Sequence, residues 1–383
     1  MMEHLTFSRP PDVDGLDLLR AEVREFLAVE LSDRSPAARA ESWTASDTAF
    51  SRKVGQRGWI GMTWPKQYGG HERTSFERYV VLEEMLAAGA PVSAHWIADR
   101  QSGPLILRVG TDEQKMKFLP AIARGECFIS AGLSEPDTGS DLASARTRAV
   151  AVEGGYIVNG TKVWTTNAHL SHFLILFCRT SPYSRENRHE GFSQFIIDLA
   201  SPGIHISPIL DLAGKHHINQ IIFEDVFVPE SSILGARGDG WKQVISELAN
   251  ERSGPERFLS SFTLLVELAR ELGINPSNEA TAAIGRLAAH TGVLRSMSRS
   301  VAGMLHTGTD PTMQAAIVKD LGAVLEQEIP EVARRLVASE PSVGSEGLAA
   351  VLATTLLQAP SFSLRGGARE ILRGIIARGL GLR

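Results

Sequence analysis

Residues 131–141 read AGLSEPDTGSD, a short polar run that gathers hydroxyls, a glycine and carboxylates between two apolar segments. The chain before it has helical periodicity, the chain just after it has strand periodicity, and the last third returns to helix. The run therefore marks a change of architecture, and such junctions commonly hold ligands. Pro136 restricts the backbone, Gly139 allows a ligand to approach it closely, and Ser134 and Ser140 offer donors to a phosphate or a heteroaromatic ring. A capped polar turn would carry the same letters, so this segment alone leaves both readings open.

Working outward, apolar residues recur at Leu19, Val23, Phe26 and Leu27 with charges between them, the pattern of an amphipathic helix. Helical patterns follow at 49–57, 75–88 and 103–109, and Thr111 offers a cap to a further helix that ends near Gly125. WIGMTWPKQYGG at 59–70 reads as an ordered loop. After the opening stretch, residues 146–152, 156–164, 173–178, 192–198, 204–209 and 220–228 are short, rich in β-branched and aromatic residues, and separated by glycine, asparagine or proline. These are strands. Asn159-Gly160 fits either a tight hairpin turn or a longer strand with a bulge. Helical periodicity resumes over 241–272 and continues over 280–305, 311–337, 347–357 and from 368 onward. The expected fold class is α+β: an N-terminal all-α domain at 1–125, a small middle β-barrel or sandwich domain at 126–235, and a C-terminal helical domain at 236–383. Helices, then strands, then helices do not fit an alternating parallel-sheet fold.

The 383 residues carry 39 basic and 44 acidic side chains, a formal net charge of −5, which argues against nucleic acid as a default partner. No apolar stretch of ~18 residues suggests a membrane span, and the start lacks the pattern of a leader, so a cytoplasmic location is expected. Cys127 and Cys178 have no metal-binding spacing and read as two reduced, buried thiols.

A second constellation, GTKVWTTNA at 160–168, sets a tryptophan beside two threonines at a strand end, a flat apolar wall next to hydroxyl donors that suits a large heteroaromatic cofactor. SEPDTGSD, then GTKVWTTNA, then IIFEDVFVPESSILG at 221–235 resemble the acyl-CoA dehydrogenase family of flavoproteins in order and separation. GWIGMTWPKQYGG, GTDEQKMKFLPAIARGE at 110–126 and RGGAREILRGIIARGLGLR at 365–383 extend the resemblance over most of the chain. It implies helical N-terminal, middle β and four-helix C-terminal domains that enclose FAD and a CoA thioester. It further implies that Leu133 and Ser134 bond the flavin pyrimidine edge, that Ser140 and the neighbouring Gly139 lie near the pyrophosphate, and that Trp164, Thr165 and Thr166 pack on or bond the isoalloxazine ring. Glu370, in the C-terminal motif, joins this cofactor-binding set.

The chemistry needs a base for a weakly acidic proton alpha to a thioester carbonyl, and a carboxylate in a dry pocket suits it because desolvation raises its pKa. The carbonyl oxygen needs donors already in place. Many family members place a glutamate in the C-terminal motif, where this chain has Gly366. In the isovaleryl and long-chain branch the base sits instead on the first helix after the β domain, just before an arginine, and the matching pair here is Glu251-Arg252. The resemblance thus nominates Glu251 as base, Arg252 as the residue shaping the thioester site, and the Gly366 N–H as a polariser of the carbonyl. Glu247 and Glu256 are fallback bases. Outside the resemblance, a Glu-Arg pair on a helix reads as a solvated ion pair.

Symmetric tetramers of the family usually grip a neighbour's FAD through Arg-x-x-Phe-Gly and Gln-x-x-Gly-Gly segments, whereas here residues 269–273 read ARELG and 357–361 read LQAPS. These departures imply either a different grip or a paralogous partner, so the expected assembly is a homodimer or homotetramer, or a heterotetramer of α2β2 type. The expected function is alpha,beta-desaturation of an acyl-CoA with electrons passed to an electron-transfer flavoprotein. The alternatives are a non-catalytic partner subunit and a flavin oxidase or monooxygenase of the same superfamily.

Overall fold

The structure is a computed structural model that describes residues 5–8 and 13–382, with the backbone alone at residues 248–251. Helices occupy Leu16–Glu30 (α1), Pro36–Ala40 (α2), Thr48–Gln56 (α3), Ser75–Ala87 (α4), Ser93–Ile97 (α5), Gly103–Val109 (α6) and Asp112–Ala123 (α7). The strands follow as Ile129–Gly132 (β1), Arg148–Val152 (β2), Gly155–Thr166 (β3), Phe173–Arg179 (β4), Phe192–Asp198 (β5), Ile204–Leu210 (β6), His216–Pro229 (β7) and Ile233–Leu234 (β8). Helices then resume as Gly240–Glu251 (α8), Phe262–Leu272 (α9), Asn278–His306 (α10), Thr312–Leu336 (α11), Gly347–Phe362 (α12) and Arg369–Gly379 (α13). Helices, a middle sheet and helices again are the α+β order that the sequence pattern implies.

Contacts group the chain into two compact units, Ser46–Glu72 with Ser93–Leu248, and Met1–Ala45 with Arg73–Val92 and Ala249–Arg383. The first holds one eight-stranded sheet in the order β6-β7-β3-β2-β4-β5-β8, with β1 added parallel to β4. Alternation along the strands turns Val158, Leu174, Leu176, Phe195, Ile221 and Phe223 into one core of fully or almost fully buried side chains. Each contributes about 1.5–3 kcal/mol by leaving water. The β2–β3 hairpin turns at Glu153-Gly154, and Asn159-Gly160 lies inside β3, where the pairing with β7 shifts register. Of the two readings of that dipeptide, the bulged strand is the one observed. Thr111 and Gln114 form a full capping box on α7, which fixes the helix start just where the sequence places it.

The second unit draws its helices from both ends of the chain. α11 packs on α9, α10, α12 and α13, while α4 packs on α1 and α10. α1 buries Leu19, Val23, Phe26 and Leu27, the residues its period singles out. Arg20 and Arg24 of that helix bond Glu84 of α4, and Glu83 is shared by Arg20 at 2.9 Å and by Arg295 of α10 at 2.6 Å. The helical pattern over 241–272 is not one helix. It breaks after α8, passes through a 3-10 turn at Pro255–Arg257 and resumes as α9, because Pro255 supplies no N–H to continue the ladder. Among the described residues no helix is long and apolar enough to cross a membrane, and no group of His, Cys, Asp and Glu could hold a metal ion. Cys127 and Cys178 are buried free thiols.

Candidate active site

The stretch after β1 is shaped by a buried ion pair. Lys162, fully buried on β3, sets its ammonium 2.8 Å from Glu135 and 2.9 Å from the Leu133 carbonyl. The Glu135 carboxylate also accepts the N–H groups of Arg146 at 2.7 Å and Thr147 at 2.9 Å. Burial pushes the Glu135 carboxyl up, but Lys162 and these N–H groups outweigh it and hold the pKa below the ordinary carboxylate range. Glu135 and Thr138 exchange backbone hydrogen bonds around Pro136-Asp137, closing a tight turn. Leu133 and Leu142 pack on Ala145, Phe177, Phe192 and Val244. The polar run is thus a tied-down loop in which Thr138 is buried while Gly139 and Ser140 are exposed, and nothing lies within 4 Å of where a Gly139 Cβ would stand.

Beside it, the Val163 N–H donates to the Ser134 carbonyl at 3.0 Å, joining the loop to the Trp164-Thr165-Thr166 segment. The register between β3 and β7 shifts from Lys162 to Thr165, and within that shift Trp164 takes φ +59° with its ring 61% exposed. A bulky residue in left-handed backbone is a costly outlier, which points to function. Asn219 of β7 donates to the Thr165 carbonyl at 2.9 Å and accepts from His169 at 3.1 Å and His216 at 2.7 Å, whose rings stack 3.8 Å apart. The Thr166 carbonyl accepts from Ser130 at 2.8 Å. Two buried hydroxyls, those of Thr138 and Thr165, have no protein partner.

In the helical unit, Arg252 donates from Nε to the Gly366 carbonyl at 3.0 Å. Gly366 has φ +72°, and a Cβ there would stand 2.9 Å from the guanidinium of the buried Arg257. The place a side chain at 366 would fill is therefore taken by Arg257. Arg365 is buried beside it, bonding the Glu256 carbonyl at 2.9 Å and the Glu326 carboxylate at 2.8 Å. Burial pulls its pKa down and Glu326 pulls it back.

The profile of the acyl-CoA dehydrogenase N-terminal domain matches residues 14–126, and that of the acyl-CoA dehydrogenase middle domain matches residues 130–226. Acyl-CoA dehydrogenase FadE29 of Mycobacterium tuberculosis is 32% identical over 372 residues, which span 94% of each chain. The chain belongs to the acyl-CoA dehydrogenase family. It is accordingly an oxidoreductase of a family that uses a flavin cofactor. The solved structure described as Tcur3481-Tcur3483 steroid ACAD superposes with a TM-score of 0.87 at 26% identity, covering 99% of both chains. The ChsE4-ChsE5 complex from Mycobacterium tuberculosis superposes with a TM-score of 0.85 at 28% identity, covering 98% of this chain and 100% of that one.

The sheet-bearing unit fits such a cofactor. An exposed indole face, two buried hydroxyls without partners and open space over Gly139 are what a large heteroaromatic group with polar edges would use. Leu133, Ser134, Trp164, Thr165 and Thr166 are brought together through the Ser134–Val163 bond, with Gly139 and Ser140 farther along the loop. Arg252 and Gly366 are likewise joined, while Glu370 is exposed in the first turn of α13. The side chain of Glu251 lies outside the described residues. Glu247 accepts a hydrogen bond from Gln194 at 3.2 Å, and Glu256 is 1% exposed. Sequence reasoning passed over Lys162, Glu135 and Asn219 as holders of the loop. The available signal was a lysine flanked in GTKVW by strand residues, close in the fold to a carboxylate-bearing turn.

Proposed function

We propose that the protein binds FAD and desaturates an acyl-CoA thioester between its alpha and beta carbons. The observation that carries this reading is the Trp164 side chain, displayed to solvent from a left-handed backbone at the register shift between β3 and β7. In this reading Leu133 and Ser134 bond the pyrimidine edge of the flavin, Trp164, Thr165 and Thr166 pack on or bond the ring, Ser140 serves its pyrophosphate, and Gly139 and Glu370 are further cofactor contacts. A bound flavin supplies the acceptor for the hydride that leaves the beta carbon. Glu251 takes the alpha proton, and the Gly366 N–H bonds the thioester oxygen as charge builds there. Arg252, tied to the Gly366 carbonyl, holds that peptide in register. Electrons pass onward to an electron-transfer flavoprotein. Similarity to a steroid ACAD and to a two-component complex supports a bulky ring-bearing acyl group and assembly with a paralogous subunit. Two separate buried thiols suit a reducing compartment, and we read the enzyme as cytoplasmic.

Anaerobic mixing with CoA thioesters tests this. The bound flavin bleaches, and Glu251→Gln slows bleaching by about 10²–10⁴-fold while flavin stays bound. Full-rate bleaching in the variant moves the base elsewhere. Gly366, which brings no carboxylate, favours a second reading as a subunit that completes a partner's FAD site. Under that reading no thioester bleaches flavin on this chain, even in complex.

A further inference from the structure

One end of the Leu133–Ser134 peptide is gripped and the other is not. Its carbonyl, the Leu133 oxygen, accepts from the Lys162 ammonium at 2.9 Å. Its N–H, that of Ser134, has no partner among the described residues. The peptide is trans, so its N–H points opposite to its carbonyl. The carbonyl faces a lysine with no exposed surface, and the N–H therefore faces away from that buried ammonium. The next carbonyl fixes this orientation. That of Ser134 accepts the Val163 N–H at 3.0 Å, which sets the loop against the strand segment carrying the exposed Trp164.

A buried lysine is more than such a loop needs as a strut. Taking charges out of water costs several kcal/mol per ion, and apolar replacements of buried pairs are often neutral or stabilising. Here the ammonium lies 2.8 Å from the buried Glu135 and 5.8 Å from the centre of the fully buried Phe177 ring. Burial draws the lysine's pKa down, and Glu135 opposes that. The carboxylate is in turn held ionised by the N–H groups of Arg146 and Thr147. The positive end of a fixed ion pair thus rests on the Leu133 oxygen. A charge on a peptide oxygen polarises the whole amide, and linked hydrogen bonds strengthen one another by about 10–30% each. The Ser134 N–H is for this reason a stronger donor than an ordinary backbone amide.

We propose that Lys162 is a positioning residue for the flavin: it turns the Ser134 N–H outward and polarises it, so that the site holds reduced flavin more tightly than oxidised flavin. This rests on the cofactor reading above and on neither the thioester nor the base. A flavin that takes up two electrons and one proton gains one negative charge, carried by its pyrimidine ring. A polarised donor at that edge stabilises the charged form more than the neutral one.

Anaerobic titration of the flavin-loaded protein with dithionite, against a redox dye of known potential, reads this preference. The flavin is loaded on the full chain alone or on its complex with a paralogue. Lys162→Gln together with Glu135→Gln removes both charges and leaves amide groups that can rebuild the tie to Leu133. This double variant lowers the ratio of reduced to oxidised flavin affinity about three- to tenfold, which is about 14–30 mV for a two-electron couple. Melting temperature and flavin absorbance show whether it is folded and loaded. Where it is not, Lys162→Met with Glu135→Gln carries the same expectation and the same refutation. A folded, loaded variant with an unchanged ratio overturns the proposal, as does equal weakening of both flavin forms, the mark of a strut alone. If no thioester bleaches the flavin and the ratio still falls, the desaturation reading fails and this inference stands. A protein that takes up no flavin, alone or in complex, overturns both.

Discussion

Trp164 at φ +59° occupies backbone that an L side chain adopts at a cost of about 1–2 kcal/mol, and glycine at the same place avoids most of that cost. Stability and cofactor binding should therefore move in opposite directions. Trp164→Gly is expected to raise the melting temperature of the flavin-free protein while weakening flavin affinity about tenfold or more, as lost ring packing requires. Equal flavin affinity in the variant would remove Trp164 from the site. His95 offers a second residue-scale test. Its buried ring bonds Ser51 at 2.8 Å, and burial, only partly opposed by Asp99, lowers its pKa to about 4. The unfolded ring takes up its proton near 6.5. Between those values the unfolded chain binds more protons, so stability is fully present above pH 6.5 and is lost as pH falls through the window. The contribution is about 2 kcal/mol between pH 7 and pH 5, measurable by urea denaturation at both. His95→Gln should shrink the pH 7 to pH 5 difference by that amount, and an unchanged difference would show that the ring is not held neutral.

At the scale of elements, helix propensity and packing disagree at Gly322 in α11. Propensity alone says that alanine would stabilise the helix by about 1 kcal/mol. A Cβ there would stand 2.0 Å from the Arg257 carbonyl oxygen, a backbone atom that no rotamer change can move. Packing decides, and Gly322→Ala should cost about 3 kcal/mol or more, read as a lower denaturation midpoint; a neutral or stabilised variant would mean that α11 and the Pro255–Arg257 turn are not so closely joined. The same turn shows where the sequence was legible and where it was not. β5 runs Phe192–Asp198, just where the strand pattern places it, because alternation is local information. The break between α8 and α9 was hidden, since apolar periodicity continues through it and only Gly254-Pro255 interrupts. A Cβ on Gly254 would stand 2.0 Å from the Glu256 carboxylate, a constraint that spacing cannot express. α2 and α5 have five residues each, too few to display a period. In the site, the residues proposed to face a flavin were nominated from motif order, whereas the Lys162–Glu135 pair links positions 27 apart, and nothing in SEPDTGSD says which carboxylate turns inward.

At the scale of the whole molecule, the open matter is what completes the cofactor's grip. The arginine of the ARELG segment, Arg270, is bonded to Glu267 within α9. The LQAPS segment lies in the last turns of α12, with Pro360 inside the helix and the Ala359 carbonyl accepting from Gln327 at 3.0 Å. Neither segment presents the glycine-rich backbone that would let a neighbour's cofactor approach closely. A chain that joins the proposed flavin-ring site to a poor grip for a second FAD is suited to a partner that differs from itself. Expressed alone, the protein should carry less than one FAD per chain and lose it on dilution. Co-expressed with an adjacent paralogue, it should form a stable mixed assembly by native mass spectrometry and hold flavin about tenfold more tightly or better, since binding energy to the folded partner adds directly to that of the cofactor. A homotetramer that is fully loaded with FAD in the absence of any other chain would show that the altered segments bind the neighbour's cofactor after all, and would return the assembly to the symmetric form.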